Sequence, residues 1–323
     1  MARKAPRIDP ATLTDGTVIR SVGSSHRVQI SSGESFDCIV RGKFRIKNLK
    51  TTNPVAVGDE VRFLKPEKED EPGVIYELLP RKNYMLRQAI GHRHKVHILA
   101  ANVDQAILLF TLSQPATSFG FADRFLLTTE TYHIPTVILI NKIDLLTTPE
   151  ELAQLAAVKE LYEKIGYTVL AVSAHEERYQ DEITALLKDK RSFIGGHSGS
   201  GKSTLINLVD PDLDIKTSAV SDYTQKGKHT TVYAEMHPLS IGGYIIDTPG
   251  IKELGVVNLE QHEISHYFPD MRLLLPDCRF NDCLHIKEPG CAVLAALEAG
   301  EFAPSRYESY LKIMNDVGEE KRW

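Results

Sequence analysis

The chain has 323 residues, 42% of them apolar and 25% charged, with a net charge of −5. That length allows two or three domains with a sizeable core. The composition is that of a soluble globular protein, with no run of eighteen apolar residues to make a transmembrane helix. The N-terminus, MARKAPRIDP, is basic but lacks the apolar centre of a secretory signal. The expected location is therefore the cytoplasm, with no membrane partner, and the four cysteines are expected as thiols or metal ligands rather than disulfides. Charge is unevenly spread: residues 1–100 hold 18 Lys and Arg against 11 Asp and Glu, the remainder 20 against 32. A basic N-terminal third on an acidic protein points to a polyanion partner, a solvated basic face being the plainer alternative.

In chain order, residues 1–12 read as an arm. Alternating apolar and polar residues then predict strands at 17–22, 25–30, 35–40, 59–63 and 74–79, separated by Gly23, Gly33, Gly42, Gly58 and Pro72-Gly73. Five short strands with a basic surface suggest a small OB-type barrel of the kind that binds nucleic acid. The basic run from Arg41 to Lys50 is the candidate RNA contact. Phe44 within it is read as packing inward, with base stacking the alternative. Residues 80–100 read as a basic connector, and His92, His94 and His97 as polar surface, since no Cys or carboxylate accompanies them.

The period then changes. Apolar strands at 103–110, 135–140, 168–173 and 191–195 alternate with helical stretches at 119–133, 149–165 and 176–190, which argues a parallel sheet covered on both faces. Ligands of such sheets sit at the carboxyl ends of the strands. The last strand runs into GHSGSGKS, the pattern GxxxxGK[ST], and then an apolar helical stretch. Glycines allow positive φ and close approach of backbone to a ligand. The loop N–H groups of Gly196, His197, Ser198, Gly199, Ser200 and Gly201 then surround a phosphate at the positive end of the following helix. Lys202 reaches the β- and γ-phosphates, Ser203 ligates Mg²⁺, and Thr204 follows in the first turn. Residues 210–228 are polar without a clear period. Strands are predicted at 231–236 and 243–247, then a mainly helical C-terminal part with a Cys/His-rich loop.

Three other strand ends complete the nucleotide site. In N-K-I-D, Asp144 can accept from both N1–H and the exocyclic amine of guanine, a pair that adenine does not offer. Asn141 can bond N7 and tie the loop, and Lys142 can lie along the base plane. Val172-Ser173-Ala174 ends the next strand. In Asp247-Thr248-Pro249-Gly250, Asp247 suits a Mg²⁺-proximal acid and the Gly250 N–H a γ-phosphate contact. The order N-K-x-D, S-A, phosphate loop, D-x-x-G looks like a circularly permuted GTPase (G4-G5-G1-G2-G3). With the barrel and the C-terminal Cys/His segment, the chain resembles the RsgA (YjeQ/YloQ) family of small-ribosomal-subunit maturation GTPases over nearly its whole length. Gly227-Lys228-His229-Thr230-Thr231 is similar to that family's switch I motif. By that resemblance Thr231 is the Mg²⁺ and γ-phosphate threonine, with Thr230 the alternate, and His229 the residue that assists hydrolysis. The position after D-x-x-G, where many GTPases carry a water-orienting Gln, is Ile251.

The second cluster is Cys278, Cys283, His285 and Cys291, a C-x4-C-x-H-x5-C spacing suited to closed, tetrahedral, structural Zn²⁺. Cys38, apart from it, is read as a buried filler. The expected architecture is a multi-domain protein: an arm and OB-fold RNA-binding domain (1–80), a permuted α/β P-loop GTPase domain (81–255) and a helical zinc domain (256–323). The resemblance implies a protein that hydrolyses GTP to GDP with Mg²⁺, slowly until stimulated by the small ribosomal subunit, whose rRNA it binds; a monomer is expected. A GTP-dependent switch on another RNA, a P-loop ATPase and a binding module without turnover remain open.

Overall fold

The computed structural model describes residues 9–40, 51, 53–68, 70–88, 96–213, 234–247 and 259–320. These fall into two compact units, one running to Val103 with the short segments 234–237 and 246–247, the other holding the rest.

The first unit is a closed barrel. Its strands are β1 (Thr14–Val22), β2 (Ser25–Gln29), β3 (Ser35–Val40), β4 (Glu60–Leu64) and β5 (Gly73–Leu78). β1 pairs antiparallel with β2 along its second half and with β4 along its first, with a register shift at Val18/Arg20 that lets one strand serve both neighbours. β2 pairs antiparallel with β3, β3 parallel with β5, and β5 antiparallel with β4, which closes the ring. The alternation seen in the sequence sends Val18, Val28, Cys38, Val55, Val61, Phe63 and Ile75 inward as one core. Gly16 is glycine for space: a Cβ there would lie 2.5 Å from Val28 Cγ1 and 3.1 Å from Phe63. Cys38 is the buried filler expected, its thiol pushed up to about 12 by burial. A further strand, β12 (Glu235–Pro238), lies beside β1 with Glu235 opposite Arg20.

The connector reading of residues 80–100 is corrected. Strands β6 (Tyr84–Gln88) and β7 (Val96–Ala101) form an antiparallel hairpin within the barrel unit. Three asparagine side chains splice it to its surroundings by copying backbone pairing. Asn53 both donates to Ile98 O and accepts from Ile98 N at 2.9 Å. Asn83 does the same with Val103, and Asn102 donates to Gly58 O while accepting from Lys82 N. Arg81 forms a buried two-pronged pair with Asp59, both contacts at 2.6 Å. His97 sits on β7; His92 and His94 lie outside the described residues, as do residues 41–50 with Phe44.

The second unit carries parallel strands in the order β10 (Thr168–Ala171), β9 (Thr136–Ile140), β8 (Gln105–Phe110), β11 (Arg191–Gly195); of β13 (Tyr244–Asp247), which follows β11 in the sheet order, Tyr244 and Ile245 belong to this unit. β8 is buried throughout. Its alternate residues serve two faces. Ile107 and Leu109 pack in one cluster with α3 (Gln180–Leu187) and α4 (Lys202–Val209). Phe110 meets Phe119 and Tyr162, from α1 (Phe119–Thr131) and α2 (Pro149–Ile165), at centroid distances of 6.2 and 6.4 Å. Helix α2 starts with a capping box between Thr148 and Glu151 and ends at Gly166 in the left-handed region, the start and stop signals its sequence carries. Beyond residue 259 come a 3₁₀ run (Gln261–Tyr267), α5 (Pro269–Arg272), α6 (Ala292–Glu298) and α7 (Pro304–Glu320). They share a core that includes Leu127 of α1, and α7 packs along α1. No helix of the described residues is long and apolar enough to cross a membrane.

Candidate nucleotide and metal sites

Three of the sequence-predicted loops meet at the carboxyl ends of β9, β10 and β11, and Asn141 is the residue that joins them. Its amide donates to Ser200 O of the phosphate loop at 2.9 Å, and its oxygen accepts from Ala174 N at 3.0 Å. Asn141 is 3% exposed, so this junction is a buried brace. It also accounts for Gly201, which has φ 98° and where a Cβ would collide with the Asn141 amide. Gly199 (φ 82°) likewise occupies the left-handed region.

Within the phosphate loop, Lys202 Nζ bridges Gly196 O and His197 O, both at 2.9 Å. Ser203 and Thr204 follow it in the first turn of α4. Ser198 and Gly199 are exposed, whereas Ser200 is fully buried with its Oγ unpartnered. The His197 ring lies against Phe121 of α1, centroids 4.1 Å apart. Opposite, Lys142 takes a left-handed conformation (φ 65°) and starts a short 3₁₀ turn on which the Asp144 carboxylate is exposed. Ser173 is buried, its Oγ accepting from His175 N. Asn141, Lys142, Asp144, Ser173, Ala174 and the loop 196–204 thus gather round one end of the sheet. Asp247 ends β13, but its side chain, like Gly250, His229, Thr230, Thr231 and Ile251, lies outside the described residues.

The C-terminal cluster is equally compact. One ligand atom from each of Cys278, Cys283, His285 and Cys291 falls within 4.8 Å of every other. His285 Nδ1 stands 3.7 Å from Cys278 Sγ and 3.4 Å from Cys291 Sγ. Tetrahedral bonds of about 2.0–2.3 Å would set the ligand atoms close to 3.5 Å apart, so this donor set fits a dication such as zinc. Burial pushes the Cys283 thiol up to about 12 and raises Cys291, while burial lowers His285, so a bound dication would have to displace thiol protons. Cys278 follows a 3₁₀ turn at Leu275–Asp277, and Cys291 caps α6.

The residues that hold this loop escaped sequence reasoning. Glu288 accepts from Leu284 N (3.0 Å), Ile286 N (2.8 Å) and Lys287 N (3.0 Å). Tyr310 OH donates to Leu284 O and Tyr307 OH to His285 O. A lone Glu and two Tyr on a helix carry no motif by which to find them.

The chain matches two family models in tandem, "RsgA N-terminal domain" over residues 15–75 and "RsgA GTPase" over residues 78–257. The chain belongs to the RsgA GTPase family. Among its relatives is the small ribosomal subunit biogenesis GTPase RsgA of Christiangramia forsetii, 47% identical over 95% of this chain and 97% of that protein. The RsgA protein of Flavobacterium johnsoniae is 45% identical over 95% and 94%. Solved structures agree. YjeQ from Thermotoga maritima superposes with a TM-score of 0.75 at 35% identity, covering 94% of this chain and 98% of that one. YloQ, a circularly permuted GTPase, gives 0.73 at 30%, covering 98% of each. The permuted order read from the motifs is thus the order of this family's fold, and the barrel of β1–β5 is its N-terminal domain.

Proposed function

We propose that this protein is a GTPase that acts in maturation of the small (30S) ribosomal subunit, binding its rRNA and using hydrolysis to switch that association. The observation that carries the reading is the Asn141 junction, which draws the base loop, the S-A loop and the phosphate loop into one site. In it Asp144 would accept from the guanine edge and the Lys142 stem would lie along the base. Ser173 and Ala174 would flank the base. The backbone of residues 196–201 and Lys202 would hold the phosphates, with Thr204 next to them in the helix turn. Ser203 and Thr231 would hold Mg²⁺, which neutralises charge developing between the β- and γ-phosphates. Asp247 and Gly250 would complete the γ-phosphate end. His229 would stand in for the water-orienting Gln that Ile251 replaces, and turnover is expected to be slow until a partner completes the site.

The Cys278, Cys283, His285, Cys291 set would hold a structural Zn²⁺, closed by four protein ligands. The family relationship supplies the particle: the relatives named above are small-subunit biogenesis factors. The protein would work as a cytoplasmic monomer. GTP turnover measured against purified 30S, 50S and 70S particles tests the whole reading. Stimulation by 30S is expected; equal rates with and without 30S would sink it.

A further inference from the structure

We infer that the loop 111–117, between β8 and α1, is a positioning element that holds Lys142 in the base site and so sets guanine-nucleotide affinity. The inference rests on the GTP-site reading above but concerns residues outside every nucleotide motif. The loop is closed by two buried threonines. Thr111 N donates to Thr117 Oγ1 at 3.0 Å, Thr117 N to Thr111 O at 2.8 Å, and Thr111 Oγ1 to Pro115 O at 2.5 Å. Thr111 is fully buried and Thr117 nearly so, which makes the clasp a fixed object rather than a surface turn.

The clasp presents one carbonyl outward. Gln114 O accepts from Lys142 Nζ at 2.5 Å. The donor is an ammonium, so the bond is charge-assisted. Both residues it joins lie in the left-handed region, Gln114 at φ 49° and Lys142 at φ 65°, a conformation sterically unfavourable to any side chain with a Cβ. Two such residues facing each other across one hydrogen bond mark a constraint that the surrounding fold enforces. The same loop reaches the phosphate side, where Pro115 Cδ lies 3.5 Å from the place a Cβ on Gly199 would occupy. It therefore borders both halves of the nucleotide site.

The consequence is pre-organisation. A lysine stem free to rotate loses rotamer entropy when a base settles on it. With Nζ held on Gln114 O, part of that ordering is in place before the nucleotide arrives. Thr111 acts through Lys142, as a positioning residue and not a ligand.

A double-mutant cycle on the full chain tests this, read as affinity for a fluorescent methylanthraniloyl-GDP. Thr111→Val keeps the shape of the side chain and removes its hydroxyl. It should weaken binding about fivefold, the loss of roughly one net hydrogen bond. Thr111→Ser should restore binding. Lys142→Met, which keeps an apolar stem and loses the ammonium, should weaken binding similarly, and Thr111→Val should add nothing on that background. Wild-type affinity in Thr111→Val, or a double variant as weak as the two single losses multiplied, overturns the inference. Should Thr111→Val fail to fold, the half-exposed Pro115→Gly, which loosens the same loop, takes its place in the cycle, and the same two results would overturn the inference. Failure of the base-site reading looks different: Lys142→Met would bind normally and Asp144→Asn would keep its preference for GTP over xanthosine triphosphate.

Discussion

Glu288 shows how much of the metal loop rests on one carboxylate. Burial of the side chain opposes its charge, but the N–H groups of Lys287, Ile286, Glu288 and Leu284 outweigh that and hold its carboxyl down at about 2. A folded pKa below the unfolded one means that the stabilisation is complete above the ordinary glutamate range and is lost only as pH falls towards about 2. A zinc ion held by Cys278, Cys283, His285 and Cys291 would, by contrast, be released by protonation of thiolates and imidazole at much higher pH. The two effects separate. Glu288→Gln should weaken zinc retention against a competing chelator about tenfold, in line with outer-shell partners generally. Because Glu288 stays ionised throughout, the factor should be the same at every pH from about 5 to 8. A factor that shrinks towards the acid end would mean that Glu288 acts by titrating and not by pinning Leu284, Ile286 and Lys287.

Among the elements, the barrel strands were legible because buried positions alternate with more exposed ones, as at His26 and Val28 or Val61 and Phe63, which writes period two into the sequence. The hairpin of β6 and β7 was not. Met85, Leu86, Val96, Ile98 and Ala100 are buried, but Arg87, His92, Arg93, His94, Lys95 and His97 are interspersed among them and conceal the apolar pattern. What fixes the hairpin is side-chain amides acting as backbone, and Asn53, Asn83 and Asn102 carry no periodicity at all. Asn102 is the most exacting of the three, being 4% exposed with φ 53°, a left-handed position that Asn tolerates better than most residues. Its removal would take away its bonds to Gly58 O and Lys82 N together. Asn102→Ala should therefore cost about 1–3 kcal/mol in denaturant unfolding, the net worth of two buried hydrogen bonds. An exposed asparagine would cost far less, so a change within about 0.5 kcal/mol would show that water replaces the amide and that the splice is weak.

At the scale of the whole molecule, the motifs disclosed the order of the site, because phosphate and guanine chemistry demand fixed residue types at fixed spacings. Nothing in them disclosed how the C-terminal helices attach to the sheet of the second unit, since that attachment is carried by scattered residues. Arg306 of α7, 1% exposed, donates from Nη1 to Asp123 of α1 at 2.6 Å and forms a two-pronged pair with Asp270 of α5 at 2.8 and 2.9 Å. Tyr162 OH of α2 donates to the same Asp123 oxygen at 3.0 Å, and the guanidinium lies 4.5 Å over the Phe268 ring. One arginine thus joins four helices across the seam between the sheet's helical layer and the C-terminal helices. Replacing a buried ion pair entire by apolar residues is often tolerated, but taking away one partner leaves uncompensated buried charge. Arg306→Met strands Asp123 and most of Asp270, and should cost about 3–5 kcal/mol in global stability. It should also uncouple the two parts. Amide exchange across residues 259–320 should quicken far more than across β8, β9 and β11, because only the C-terminal helices lose their anchor. Uniform quickening in both would instead make Arg306 a core residue like any other, with the attachment carried by the apolar packing of α7 on α1.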